Sequence, residues 1–389
     1  MLTAVILTYN RFPNGDAGSI RQEAFAKLLK IKGYSVTVIG MGEYTGSGVR
    51  QHKGLRYLSF RNRGCNLISR IINVLGYRRK LKNYLENTRP PDLILVVQIP
   101  ITALLLVKKF ATRNGILLIH DSVEWYSPEQ FALGKLSVSY IGKDLYNTRL
   151  IDRSFKVIAI SSLLDKHFKS RGLQSVVIPV VMDSDGIDHS KSLDEKVVSF
   201  LYAGSPGRKD SIKEIIEGFC VLPQHLLGHV RLKIIGITLE QLVKSGVSEK
   251  SITFLQSSLQ VMGRTSRDEV LQHLKAVDFT LLLRPPNLRY ANAGFPTKVV
   301  ESLMTGTPVI CNITSDLGKY IIDMQNGIIV NEFSTNSLAQ SILKALRLTP
   351  EERSIMQRKA RESAERYFDY RKYEGELGIL LERPEQSDV

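Results

Sequence analysis

The sequence predicts a mixed α/β protein built from two doubly wound domains. Three observations carry that expectation. Short β-branched runs alternate with helical stretches through the first half, the same rhythm restarts in the second half, and a polar, acid-rich stretch separates the two. The 389 residues suffice for two cores on a prior of about 100–200 residues per domain. Apolar residues at 43% and charged residues at 23% exclude a disordered or fibrous chain.

Taken in order, strands are expected at 5–8, 35–39, 93–97, 116–119, 157–160 and 176–181, each separated by ten or more residues, as parallel pairing through helices requires. A linker is expected over 183–196. Strands then recur at 198–202, 232–235, 252–255, 279–283, 308–311 and 327–330. Thr349-Pro350-Glu351-Glu352 reads as a capping box with proline at the first helical position, opening a helix to about Tyr367, and a last helix spans 370–381. The domain boundaries expected are 1–190 and 191–365, with 366–389 a helix and tail that pack back on the first domain. Ligands are expected at the carboxyl ends of the strands, in a cleft between the domains.

Cys65, Cys220 and Cys311 are three in number and widely spaced, which argues against a disulfide framework and a zinc site and for a reducing compartment. Residues 1–9 read as a first strand rather than an export signal, and the apolar run 101–107 stops at Lys108-Lys109, short of a membrane span. The net charge of +15 is uneven: residues 1–190 carry 27 Lys/Arg against 14 Asp/Glu, the remainder 26 against 24. No acidic residue falls between Glu43 and Glu86, a stretch holding ten Lys/Arg. An anionic partner is expected on this face. In 66–82, Arg70, Arg78, Arg79, Lys80 and Lys82 mix with apolar residues, the composition of a helix lying on an anionic membrane surface. The same composition suits a core-packing helix with a basic rim. Nucleic acid is disfavoured, because aromatic residues are not interleaved with the basic ones and no binding motif appears.

Two segments are candidates for phosphate and sugar chemistry. In 202–210 a glycine turn with Gly204 and Ser205 ends a strand and is followed by Arg208 and Lys209, so backbone N–H groups, a helix N-terminus and full charges converge on an anion. This is neither a Walker loop nor GxGxxG, and it also has the make-up of an ordinary βα turn. In 293–310 Phe295, Pro296 and Thr297 start a helix that carries Lys298 and Glu301 and stops at Gly306; a carboxylate placed like Glu301 can accept both hydroxyls of a ribose. In the first half, Gly15 and Gly18 flank a turn after the first strand, where small residues admit substrate to the backbone, and His120, Asp121 and Glu124 follow a buried strand.

The spacing of 204–209, 232–236, Gly263, 295–310 and Asn326-Gly327 resembles the retaining GT-B glycosyltransferases of family 4. The resemblance covers nearly all of 195–345 and, more loosely, the first domain. It implies two facing Rossmann-like domains, a UDP- or GDP-type nucleotide diphosphate-sugar held by the second, no metal and no cofactor. Arg208 and Lys209 then hold the diphosphate, Glu301 the ribose, and Gly18, Gly204, Ser205, Phe295, Pro296, Thr297 and Lys298 line the donor. His120 becomes a catalytic candidate near the donor sugar, and Gly15, Asp121 and Glu124 lie on the acceptor side. The implied reaction is sugar transfer to a glycan or lipid-linked acceptor of the cell surface, by a cytoplasmic enzyme docked on the inner face of the plasma membrane. The sequence departs from the family pattern at Ala293, where the Glu-x7-Glu motif begins with glutamate; Pro296, Lys298 and Glu301 fit a Pro-x-Lys-x-x-Glu variant. That departure keeps a non-catalytic GT-B subunit open, and a GT-B-fold sugar-nucleotide epimerase is a further alternative. Asp183-Ser184-Asp185 spells a metal-binding Asp-x-Asp, but its position in the linker argues against that use.

Overall fold

A computed structural model describes residues 1–13, 15, 17–42, 48–61, 64, 66–185, 187, 196–205, 207 and 209–382. The chain divides into two units: Met1–Asp183 together with Asp369–Val389, and Ser184–Phe368. Most of the expected 183–196 linker lies outside the described residues.

In the first unit the strands are β1 (Leu2–Arg11), β2 (Tyr34–Gly42), β3 (Arg50–His52), β4 (Leu55–Arg61), β5 (Leu93–Val97), β6 (Leu117–Ser122), β7 (Lys156–Ala159) and β8 (Ser175–Val177). They form one sheet in the order β3-β4-β2-β1-β5-β6-β7-β8, parallel except for the β3–β4 pair. The strand order reverses direction between β1 and β5, which pair in register from Ala4 with Leu93 to Thr8 with Val97. All five residues of β5 are buried, as expected of a parallel strand covered on both faces. The core joins Ile6, Phe25, Leu29, Leu95 and Ile158 to Leu377 and Leu380 from the C-terminal helix Glu374–Leu381, so the chain's last helix belongs to this unit's interior.

In the second unit β9 (Val198–Ala203), β10 (Val230–Ile235), β11 (Leu259–Met262), β12 (Phe279–Leu282), β13 (Val309–Cys311) and β14 (Gly327–Ile329) form a parallel sheet in the order β11-β10-β9-β12-β13-β14, with its switch between β9 and β12. Phe200, Phe219 and Phe279 lie at its centre, with Phe200 and Phe279 stacked at 5.8 Å. Arg353 of the helix Pro350–Tyr367 reaches Asp278 at 3.1 Å, both side chains buried, and Asp278 also accepts from the Ser199 N–H at 2.9 Å. That helix opens with the reciprocal Thr349–Glu352 capping box the sequence predicts.

One expectation is corrected and one element is new. Residues 252–255 are not a strand: Glu249–Phe254 is a helix capped by Ser248, and the strand lies further on at Leu259–Met262. A four-residue apolar run does not distinguish the two states. The β3–β4 hairpin is absent from the sequence reading; its turn is Lys53-Gly54, both at positive φ (47° and 73°), the conformation two-residue hairpins require.

Burying the C-terminal helix against the first unit has a measurable consequence. Leu380→Ala is expected to destabilise that unit by about 2–5 kcal/mol. Trp125, the chain's one tryptophan, reports the loss as an earlier urea midpoint, while amide-exchange protection of β9 and β12 stays unchanged.

Candidate functional site

The carboxyl ends of β9 and β12 gather charge around one carboxylate. Asp210, buried seven residues beyond the end of β9, accepts from the Tyr202 hydroxyl at 2.9 Å and from Arg284 Nε at 3.1 Å, and it pairs with the ammonium of Lys298. Lys298 also donates to the Tyr202 oxygen at 2.9 Å and lies 4.4 Å from the centre of its ring. Burial alone would raise the Asp210 pKa, but the Lys298 and Arg284 cations outweigh it and hold the carboxyl below its ordinary range. Burial pulls the Lys298 pKa down, with Asp210 opposing it.

Glycine is required beside this cluster. Gly204 has φ +134°, and a Cβ there would fall 2.4 Å from Lys298 Cε. Gly236, at φ +102°, packs against the Gly204 backbone, where a Cβ would lie 2.7 Å from its carbonyl carbon. Ser205 reaches the Gly236 carbonyl at 3.4 Å. Lys209 is fixed through its backbone, its carbonyl accepting from the Tyr290 hydroxyl at 2.8 Å. Arg208 lies outside the described residues.

The helix Thr297–Met304 begins after Pro296 with no side-chain cap on its first N–H groups, and its first turn carries Lys298. Glu301, one turn on, is largely buried and accepts from Arg267 Nε at 3.3 Å. Burial raises the Glu301 pKa, and Arg267 works against that rise. Phe295 departs from the expected donor lining: its side chain is buried among Tyr320 and Phe368, at 5.6 and 5.7 Å, and packs the interior. Ala293 is fully buried at the end of the short helix Arg289–Ala293, so no carboxylate stands there. Sequence reasoning missed Arg284 and Arg267 as members of this site and gave no role to Tyr202 and Asp210, which bound the 202–210 segment. The available signal was a lone arginine directly after the apolar run 279–283.

In the first unit His120 sits on β6, buried, with Nδ1 3.1 Å from the Val96 carbonyl and its ring beside Tyr146 and Phe168. Burial pushes its pKa down to about 4, so the imidazole is neutral at pH 7. Asp121 is placed in the interior rather than on an acceptor face: Arg21 donates to both its oxygens at 2.8–3.1 Å and also holds the Ile178 carbonyl at 3.0 Å. Glu124 is half-buried, and its carbonyl accepts from Asn147 at 3.0 Å. Gly15 is required sterically, since a Cβ would lie 2.2 Å from the Arg11 carbonyl oxygen, and Gly18 lies in the first turn of the helix Ala17–Ile31. These residues and the Lys298 cluster belong to different units.

The basic helix is Leu67–Asn87. Tyr77, Leu81 and Leu85 face the core, while Arg78, Arg79, Lys80 and Lys82 are exposed, with Ile71, Ile72 and Leu75 exposed one to three turns earlier. The Arg70 side chain lies outside what is described. Among the described residues no helix is long and apolar enough to cross a membrane, and no three His, Cys, Asp or Glu side chains are grouped to hold a metal ion. Asp183 of the Asp-x-Asp sequence is engaged by Lys27 at 2.7 Å, with Arg371 at 3.7 Å.

Residues 183–363, nearly the whole second unit, match the family model described as Glycosyl transferases group 1. The whole chain is similar in fold to sucrose-phosphate synthase from Thermosynechococcus elongatus (TM-score 0.76, 14% identity, 98% of each chain covered). It is also similar to Anabaena Alr3699/HepE, solved in complex with UDP-glucose (TM-score 0.67, 17% identity, 98% of this chain and 100% of that one). A third similar structure is WaaG, a glycosyltransferase involved in lipopolysaccharide biosynthesis (TM-score 0.68, 17% identity, 98% and 100% covered). No curated sequence matches significantly. The fold is therefore GT-B, two Rossmann-like units, and the chain is a glycosyltransferase.

The buried His120 predicts an acid-sensitive first unit. Its folded pKa lies below the ordinary 6.5, so the unfolded chain binds the proton first: the stability tied to neutral His120 is intact above pH 6.5 and is lost as pH falls towards about 4. The loss reaches about 3 kcal/mol. His120→Asn, which keeps a donor for the Val96 carbonyl, is expected to flatten the pH dependence of the Trp125 urea midpoint between pH 6.5 and 4.5.

Proposed function

We propose that this protein transfers a sugar, with retention of anomeric configuration and without a metal ion, from a UDP- or GDP-type nucleotide diphosphate-sugar to a glycan or lipid-linked acceptor in the synthesis of a surface polysaccharide such as capsule, O-antigen or exopolysaccharide. The observation that carries this reading is the pair of cations, Lys298 and Arg284, clamped by Asp210 beside a glycine turn at the β9–β12 switch point. In doubly wound sheets ligands bind at that point. The Alr3699/HepE structure, similar in fold, is a UDP-glucose complex.

In this reading the diphosphate lies against the Gly204 turn and the uncapped start of the helix Thr297–Met304, with Lys298, Arg284, Lys209 and Arg208 as its cations. Charge grows on the diphosphate as the glycosidic bond breaks, and fixed donors in place before the reaction stabilise that charge at no reorganisation cost. These cations take the role that a metal ion has in other nucleotide-sugar enzymes, which is the ground for proposing metal independence. Glu301 accepts the ribose hydroxyls and is held for that by Arg267. Neutral His120, with Nδ1–H directed to the Val96 carbonyl, presents Nε2 as an acceptor towards a sugar hydroxyl. Arg78, Arg79, Lys80 and Lys82 hold the first unit on the anionic inner face of the plasma membrane, each basic residue near the surface contributing about 1 kcal/mol.

Turnover of UDP- and GDP-sugars with EDTA present tests this reading. Lys298→Ala is expected to lower kcat by about 10²–10³-fold, and Glu301→Ala to weaken donor binding by about 1.5–3 kcal/mol. Saturable nucleotide binding with no turnover on any donor would instead favour the non-catalytic subunit that Ala293 keeps open.

A further inference from the structure

The first unit contains an open cavity of about 540 Å³ that the donor chemistry does not use. Its walls are Tyr9, Val74, Ile99, Ile101, Val138 and Tyr146. The volume falls within the range of about 300–1,000 Å³ typical of small-molecule sites. It is also placed where a doubly wound sheet binds ligands: Tyr9 is near the end of β1, Gln98 and Ile99 directly follow β5, and these are the strands between which the order reverses.

Two further features mark the groove as a built site. Gln98, in its lining, has φ +37°, a left-handed conformation that is strained for a non-glycine residue and that concentrates at ligand sites. Tyr146 opens a π-helical turn, Tyr146–Leu150, and its hydroxyl donates to the Ile99 carbonyl, so the groove wall is pinned to the strand end. The centre of that same ring lies 5.9 Å from that of His120.

The groove's mouth is apolar and solvent-exposed. Val138 on its rim is 85% exposed, and Leu133 and Leu136 in the preceding turns are 71% and 81% exposed. Ile71, Ile72 and Leu75 are exposed on the helix that supplies Val74, and the same helix turns basic at Arg78 and Arg79. Lys143, also in the lining, lies 3.9 Å from the centre of the Tyr126 ring. Apolar walls, an apolar approach and adjacent cations complement a molecule with a hydrocarbon chain and an anionic head.

We propose that this groove seats the hydrocarbon chain of a lipid phosphate that carries the acceptor. The inference rests on the lipid-linked acceptor reading and narrows it to a named subsite. Gly142 offers a clean test. It lines the groove within the helix Val138–Leu145, and a Cβ there would meet only Ile101 Cδ1, at an ordinary 3.6 Å. Gly142→Leu therefore fills the groove while favouring the helix. Trp125 Nε1 donates to Asp144 of this helix at 2.8 Å, and its emission is followed through the titration.

The experiment titrates the full chain with geranylgeranyl phosphate below its micelle concentration, with isopentenyl phosphate and inorganic phosphate as comparisons, and measures UDP and GDP binding in parallel. The expected result is saturable capture at least tenfold tighter for the long chain than for isopentenyl phosphate. Gly142→Leu should weaken that capture at least tenfold, with nucleotide affinity and melting temperature unchanged. Equal affinity for the two chain lengths, undiminished capture by Gly142→Leu, or adsorption to anionic phosphatidylglycerol vesicles without capture of the single chain would each overturn the inference. Intact nucleotide binding with a blank chain titration sinks the groove alone; absent nucleotide binding sinks the donor reading independently.

Discussion

The chemistry of the second unit depends on one buried carboxylate. Asp210 holds two cations, Lys298 and Arg284, side by side at the strand ends, where without it their mutual repulsion and desolvation would drive them apart. The cluster keeps one net positive charge, which suits it to receive an anion rather than to complete a neutral core. Buried ion pairs of this kind are poor sources of stability, since desolvation offsets most of the attraction. Its value lies in positioning: Lys298 is fixed by Asp210, by the Tyr202 oxygen and by the missing side chain at Gly204. The proposed diphosphate seat follows from that arrangement. Fixed cations act on developing charge only to the extent that they do not have to move when it appears.

The first unit applies the same sheet logic with different side chains. Its parallel strands end at a switch between β1 and β5, as the second unit's end at a switch between β9 and β12. At the β6 end its charge is internally satisfied: Asp121 and Arg21 neutralise each other, and Arg21 also ties β6 to the backbone that follows β8. The Asp121–Arg21 pair carries no net charge, in contrast with the cationic cluster at the ends of β9 and β12. A charged donor group and a hydrocarbon-bearing acceptor make opposite demands on a site, and the proposed donor seat and the proposed chain groove lie at separate switch points.

How much of this was legible in the sequence depended on the range of each interaction. A strand such as β5 was readable because a parallel strand buried on both faces is written as a continuous apolar run. The helix start at Thr349 was readable because its capping box lies within four residues. The run 252–255 misled because it is too short for periodicity to separate strand from helix. Contacts between distant residues left no local trace: Arg21 meets Asp121 across 100 positions, and Arg284 meets Asp210 across 74. Lys298 and Glu301 were singled out from their helix, but the partners that fix them, Asp210 and Arg267, were not. Phe295 was read with its motif neighbours, whereas its ring fills an aromatic cluster with Tyr320 and Phe368.

The central claim is that Lys298, held by Asp210, recognises the diphosphate of the donor rather than stabilising the unit. The most direct test is a calorimetric cycle that compares UDP with uridine, and GDP with guanosine, on the wild type and on Lys298→Ala, with EDTA present. The account predicts that the wild type binds one diphosphate far more tightly than its nucleoside and that Lys298→Ala erases most of this gap while leaving the nucleoside's own affinity in place. A gap that survives the substitution undiminished would contradict it.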